Sequence, residues 1–329
     1  MSAPAPEPEY EQLLYQVASL YYESGQTQEQ IGRALHLTRW KVGRMLTEAR
    51  EVGIVRIDVV HPRSRIRTAE RALVERYGLR DAVVVAHRDG ATAPHELTAL
   101  VARAAADYLA ALRPAPRLLG VSWGRTLDAV AAALPSGWTS GVHVVQVNGG
   151  LSRSRTPTSA HDMASRIAHH GAGTVTLLPV PAIVEQEATR RALESDRAVS
   201  DVLDLAARAD AYLFSPGGMT RDSVLVDSGY ITPADLDRLS AAGAVGDVMS
   251  RFIDAEGRVV DAGLDGRTLG LSLDALRAGD TSVAVVAGPA KLAVCRAVLA
   301  GRMCKVLITE QRTARSLLEP ARTPSGSVT

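Results

Sequence analysis

Seven short apolar segments recur along the chain beyond residue 80: "DAVVVA", "RLLGVS", "VHVVQV", "TVTLLPV", "AYLFSP", "SVAVVAG" and "CKVLIT", with Ala-rich stretches at helical spacing between them. A strand with one wet face alternates apolar and polar residues, whereas these runs are nearly continuous and so must bury both faces. Strands of that kind joined by helices predict a doubly wound, mostly parallel α/β sheet covered on both sides. With 329 residues and 46% hydrophobic content, the chain has enough length for that domain and a smaller one beside it.

Ligands of such sheets bind beyond the C-terminal ends of the strands, which selects the loops to read. After "RLLGV" come Ser122, Trp123, Gly124, Arg125 and Thr126, a tight turn into a helix. Successive backbone N–H groups and a helix N-terminus favour an anion there, Gly124 lets backbone approach closely, and Arg125 and Thr126 add donors. An ordinary strand-to-helix turn capped by Thr126 would use the same residues. The next strand is followed by Asn148, Gly149 and Gly150, and another by Pro179 and Pro181. "AGPAKL" places Lys291 in the first turn of a late helix; it is one of only three lysines, with Lys41 and Lys305, and a compact ammonium suits phosphate. Within "GAVGDVMSRFIDAEGRVV", Asp247, Arg251 and Asp254 are candidates for sugar hydroxyls or phosphate oxygens and Phe252 for a pocket wall, although a plain hairpin needs none of these roles.

The charge distribution singles out a different segment. Residues 1–30 hold five acidic side chains and no Lys or Arg, residues 33–67 hold nine basic against three acidic, and the rest is balanced. One basic segment on a neutral body predicts a polyanionic partner met there alone. In that segment, "QLLYQVASLYYESG" has helical spacing and stops at Gly25; Thr27 is placed to cap "QEQIGRAL", and Thr38 to cap "TRWKVGRMLTEAREVG". In this third helix Val42, Met45, Leu46 and Ala49 share one side, and Arg39, Trp40, Lys41 and Arg44 the other. That layout is a helix-turn-helix, whose second helix braces the third against the major groove of double-stranded DNA. Thr38, Arg39, Trp40, Lys41 and Arg44 are the candidate DNA-binding residues, and "IVRIDVV", 54–60, is expected as a strand completing a winged domain.

Other classes are disfavoured. Cys295 and Cys304 lack metal-ligand spacing and read as buried thiols, His161, His169 and His170 are badly placed for one metal, and no nucleophile elbow or paired Cys and His announces covalent catalysis. No cofactor is called for. The Pro-rich, acidic N-terminus has no signal-peptide pattern and no run reaches membrane-span length, which predicts a cytoplasmic protein without a membrane partner.

The motifs together resemble a family. "TQEQIGRALHLTRWKVGRMLTEAREVGIVRIDV", "GVSWGRTL", "VVQVNGGL", "AGAVGDVMSRFIDAEGRVVD" and "VAGPAKLAVCRAVLAGRMCKVLITE" are similar, in order, to segments of the SorC family of sugar-responsive bacterial transcription regulators. Gly32 stands where alanine is commoner in that family. The resemblance implies an N-terminal winged helix-turn-helix and an effector domain resembling glucosamine-6-phosphate deaminase and ribose-5-phosphate isomerase. It also implies operator DNA as partner, a sugar, sugar phosphate or polyol as effector, and a homo-oligomer, dimer or tetramer.

The expected organisation is a DNA-binding domain at 1–60, a linker and helix at 61–80, an effector-binding and oligomerisation domain at 81–320 and a disordered tail at 321–329. The effector residues are then Ser122, Gly124, Arg125, Thr126, Asn148, Gly149, Asp247, Arg251, Phe252, Asp254 and Lys291. The alternative is a phosphosugar isomerase or deaminase bearing an accessory DNA-binding module. Fold alone does not separate the two. The attached helix-turn-helix favours a sensor, because turnover would erase the signal that binding carries.

Overall fold

The computed structural model describes residues 8–55, 65–87, 93–150 and 160–319. Two compact units divide the chain at Val60 and His61.

Three helices form the first unit: α1 (Pro8–Tyr22), α2 (Gln28–Ala34) and α3 (Arg39–Glu51). Each start has a chemical cause. Thr27 and Gln30 form a capping box, and the Thr38 hydroxyl accepts from the N–H of Lys41 at 3.2 Å, so two otherwise orphaned ends are satisfied. Leu14, Val17, Ile31, Val42, Met45, Leu46 and Ala49 fill the space between the helices. A Cβ at Gly32 would stand 2.7 Å from the carbonyl oxygen of Leu37, so the connection between α2 and α3 passes close against this residue. Residues 56–60 of the expected wing strand and the expected tail at 321–329 lie outside the described residues.

In the second unit, each of the seven apolar runs is a strand: β1 (Asp81–Val85), β2 (Leu118–Val121), β3 (His143–Gln146), β4 (Thr174–Thr176), β5 (Ala211–Phe214), and later β9 (Ser282–Val285) and β10 (Val306–Glu310). They pair in parallel in the order β1-β10-β9-β5-β2-β3-β4. Alternate side chains serve opposite faces. Val83, Leu119, Leu213 and Val283 pack toward α5 (Pro94–Ala111), α6 (Arg125–Ala133) and α7 (Ala160–His170), while Val84, Phe214, Ala284 and Leu307 pack in a second core with α4 (Arg67–Tyr77) and the helix Leu292–Ala300. Both faces are dry, which is why the strands lack alternation in sequence.

Between β5 and β9 the chain builds a small antiparallel sheet from β6 (Gly217–Gly218), β7 (Gly246–Val248) and β8 (Arg251–Ile253). Met249 and Ser250 make the β7–β8 turn with φ of 51° and 70°, the left-handed pair that a two-residue hairpin needs. The main sheet runs from β2 outward to β3 and β4 on one side, and from β5 to β9 and β10 on the other. Strand order therefore reverses between β2 and β5, opening a crevice at their C-terminal ends.

Candidate functional site

That crevice is a cavity of about 600 Å³, within the range that holds small ligands. Ser122, Trp123, Gly124, Arg125 and Thr126 form one wall. Gly124 has φ +135°, a backbone region that side chains resist, and open space where a Cβ would stand, so its conformation and not its size demands glycine. Immediately after it α6 begins, with its first N–H groups unpaired by the helix.

Lys291 comes to this wall from the loop after β9. Its Nζ donates to the Thr126 hydroxyl at 3.1 Å and to the Ser215 hydroxyl at 2.8 Å. Burial pushes the ammonium down to about 8, opposed by the Asp247 carboxylate and assisted by the Arg125 charge. Asp247, also in the lining, accepts from the Ser250 N–H at 3.0 Å. Burial pushes its carboxyl up to about 6, with that N–H and Lys291 pulling the other way. The two charges therefore oppose each other only in part across a poorly solvated space, and an added anion would favour the protonated lysine. Arg125 reaches the far lip, donating to the backbone carbonyl of Asp222 at 2.8 Å.

Of the expected effector residues, Ser122, Gly124, Arg125, Thr126, Asn148, Asp247 and Lys291 meet at the cavity; Gly149, Arg251, Phe252 and Asp254 do not line it. Gly149 is wedged where a Cβ would be 2.2 Å from the carbonyl oxygen of Pro181, and its own carbonyl accepts from the Trp123 indole at 2.7 Å. Arg251 is buried, paired with Asp265 and donating to the carbonyl of Gly270 at 3.3 Å. Phe252 belongs to the core, and Asp254 caps its own turn through the N–H and guanidinium of Arg258 at 2.8 and 2.9 Å. Asp247 stands opposite Phe252 in the hairpin and Val248 opposite Arg251, so strand alternation alone does not divide them; Asp247 and the turn residues Met249 and Ser250 reach the cavity, whereas Arg251 and Phe252 are buried away from it.

Sequence reasoning missed Ser215, Ser250 and the α5 residues Pro94, His95 and Thr98, all of which line the cavity. Ser215 follows the apolar run "AYLF", so the strand-end rule would have found it; α5 carried no such signal.

In the first unit, Thr38, Arg39, Trp40, Lys41 and Arg44 are all exposed along the N-terminal half of α3. Trp40 is 80% exposed, an unusual position for an indole without a partner surface. The arrangement presents three cations and an aromatic ring on one face.

Comparison with known proteins agrees with both halves. Residues 61–319 match the family model described as "Putative sugar-binding domain". The deoxyribonucleoside regulator of Bacillus subtilis is 33% identical over 312 residues, covering 94% of this chain and 98% of its own length. The transcriptional regulator LsrR of Klebsiella pneumoniae is 32% identical over 314 residues, covering 94% and 93%. The full-length sorbitol operon regulator SorC from Klebsiella pneumoniae superposes with a TM-score of 0.72 at 27% identity, covering 96% of this chain and all of that one. The chain belongs to the SorC family of transcription regulators with a sugar-binding domain.

Proposed function

We propose that this chain is a cytoplasmic, non-enzymatic regulator whose operator binding is controlled by a phosphorylated sugar or polyol held in the cavity of the second unit. The observation that carries this reading is Lys291, whose ammonium lies 3.1 Å from Thr126 at the start of α6, 165 residues away in sequence. Phosphate oxygens seated at that point meet a cation, two hydroxyls and unpaired helix N–H groups. Gly124, Arg125, Thr126 and Lys291 hold the phosphate, with Ser122, Asn148 and Asp247 around the sugar. Relatives named for deoxyribonucleosides and sorbitol are consistent with such an effector.

Thr38, Arg39, Trp40, Lys41 and Arg44 contact operator DNA, with the cations on base edges or phosphates. One helix-turn-helix reads few base pairs, so the acting species is a dimer or tetramer. Tyr15 and Tyr22, 60% and 43% exposed and seven residues apart on α1, give that assembly an apolar face.

A thermal-shift screen of phosphosugars and free polyols, followed by operator binding with each hit, tests the proposal. The expected result is a melting temperature that rises with phosphosugar concentration, an altered operator affinity, and phosphosugar recovered unchanged. In Lys291→Met the thermal gain should fall sharply while operator binding without ligand persists. A hit that is consumed, or that leaves operator affinity unchanged, overturns the reading.

A further inference from the structure

The charged groups of the cavity are engaged: Lys291 with Thr126 and Ser215, Asp247 with the Ser250 N–H, Arg125 with Asp222. Two uncharged ones are not. Neither the amide nitrogen nor the amide oxygen of Asn148 has a hydrogen-bond partner, and neither does the Ser250 hydroxyl, although each residue is only 1% exposed. Both residues line the cavity. The other buried polar side-chain atoms without partners among the described residues, on His87, His170 and Thr309, belong to residues outside the lining. Buried polar groups are almost always paired, so two orphaned side chains lining one cavity point to a ligand that completes them.

The backbone that carries each group is held in place. The backbone of Asn148 bridges Gly270 and its carbonyl accepts from the Gln146 amide at 2.7 Å, while the next residue, Gly149, donates to Leu269 at 3.1 Å and abuts Pro181. Ser250 is fixed by the left-handed turn and by its N–H bond to Asp247. An amide offers two donors and an acceptor, and a hydroxyl one donor and an acceptor, a set matched by groups that both give and take protons. Sugar and polyol hydroxyls have that character; a phosphate, all acceptor when ionised, does not, and it would also approach the Asp247 carboxylate beside Ser250.

We propose that Asn148 and Ser250 are specificity-determining residues that bind effector hydroxyls, so the cavity selects a polyhydroxylated phosphomonoester over phosphate alone. This rests on the phosphate reading above, and the experiment separates the two. Calorimetric titration of the full chain compares inorganic phosphate, ethyl phosphate and a panel of four- to six-carbon sugar and polyol monophosphates.

A panel member should bind about tenfold or more tightly than ethyl phosphate, as sites built to hydrogen-bond hydroxyls discriminate strongly. Asn148→Leu, close in volume, should leave inorganic phosphate within about twofold yet reduce that preference below about threefold, and its ligand-free melting temperature should hold or rise because an unpaired amide has gone. Ser250→Ala should lose part of the preference in the same direction, and it carries the test if Asn148→Leu does not fold. A variant that keeps the full preference, or loses phosphate and panel affinity equally, overturns the assignment. Wild-type chain that binds phosphate, ethyl phosphate and the panel alike overturns this inference alone; wild-type chain that binds none of them overturns the phosphate reading and this inference with it.

Discussion

Lys291 is a charge held under poor solvation, and its energetics follow from that. Below about pH 8 both folded and unfolded chains keep its proton and the folded chain bears the desolvation penalty; between about 8 and the ordinary 10.5 only the unfolded chain keeps it, so stability rises with pH. Lys291→Met should therefore melt higher than wild type at neutral pH without ligand, with the gap narrowing as pH climbs through that window in a fluorescence melt. A widening gap would contradict the burial argument. Asp247 has the opposite sense: its folded carboxyl, raised to about 6 from 3.8, makes wild type lose stability relative to Asp247→Asn as pH rises between those values. Two glycines of the same site differ in kind. Gly124→Ala meets only the cost of a backbone region that is essentially glycine's own, about 1–3 kcal/mol, whereas Gly149→Ala must push Pro181 aside, a steric cost of about 1–3 kcal/mol or above. Denaturant unfolding of both variants ranks them.

At the level of elements, α3 depends on the residue that caps it as well as on its buried face. Removing the Thr38 hydroxyl leaves the Lys41 N–H unpaired, so Thr38→Ala should cost about 1 kcal/mol of first-unit stability. Replacing Arg39, Lys41 or Arg44 by Ala removes exposed charge and should leave melting almost unchanged while weakening operator binding. A base contact is worth about 1–3 kcal/mol and depends on operator sequence; a phosphate contact lowers affinity for all sequences and reduces the salt slope by about one. Titrations at several salt concentrations sort the three residues. Operator affinity that survives all three replacements would remove α3 from the interface.

For the whole molecule, the two units have separate cores: Leu14, Met45 and their neighbours in the first, and the two layers about the parallel sheet in the second. A fragment beginning at His61 should melt cooperatively, keep the thermal response to phosphosugar and lose operator binding. The first unit, near 60 residues, is small for independent stability, which adds weight to assembly through α1. Light scattering on operator DNA should give at least a dimer, and Tyr15→Lys with Tyr22→Lys should lower the assembly state without unfolding the effector unit, because both side chains are exposed.

Local chemistry settled much of this protein in advance. Near-continuous apolar runs dictated strands buried on both faces, threonines at 27 and 38 fixed two helix starts, and the strand-end rule led to Gly124, Thr126 and Lys291. These properties depend on neighbours a few residues apart, and periodicity and capping report them directly. Tertiary structure decided which loops converge. Ser215 and Lys291 are 76 residues apart, and they meet because β5 lies between β2 and β9, an order set by which strand faces can be covered together. The hairpin turn sent Asp247 and Ser250 to the cavity while Arg251 and Phe252 entered the interior, a division that composition cannot express. Whether a polar side chain has a partner is likewise a fact of three dimensions: Asn148 is visible in sequence as a residue after a strand, but its unpaired amide exists only once Gly270, Pro181 and Gln146 have closed around its backbone.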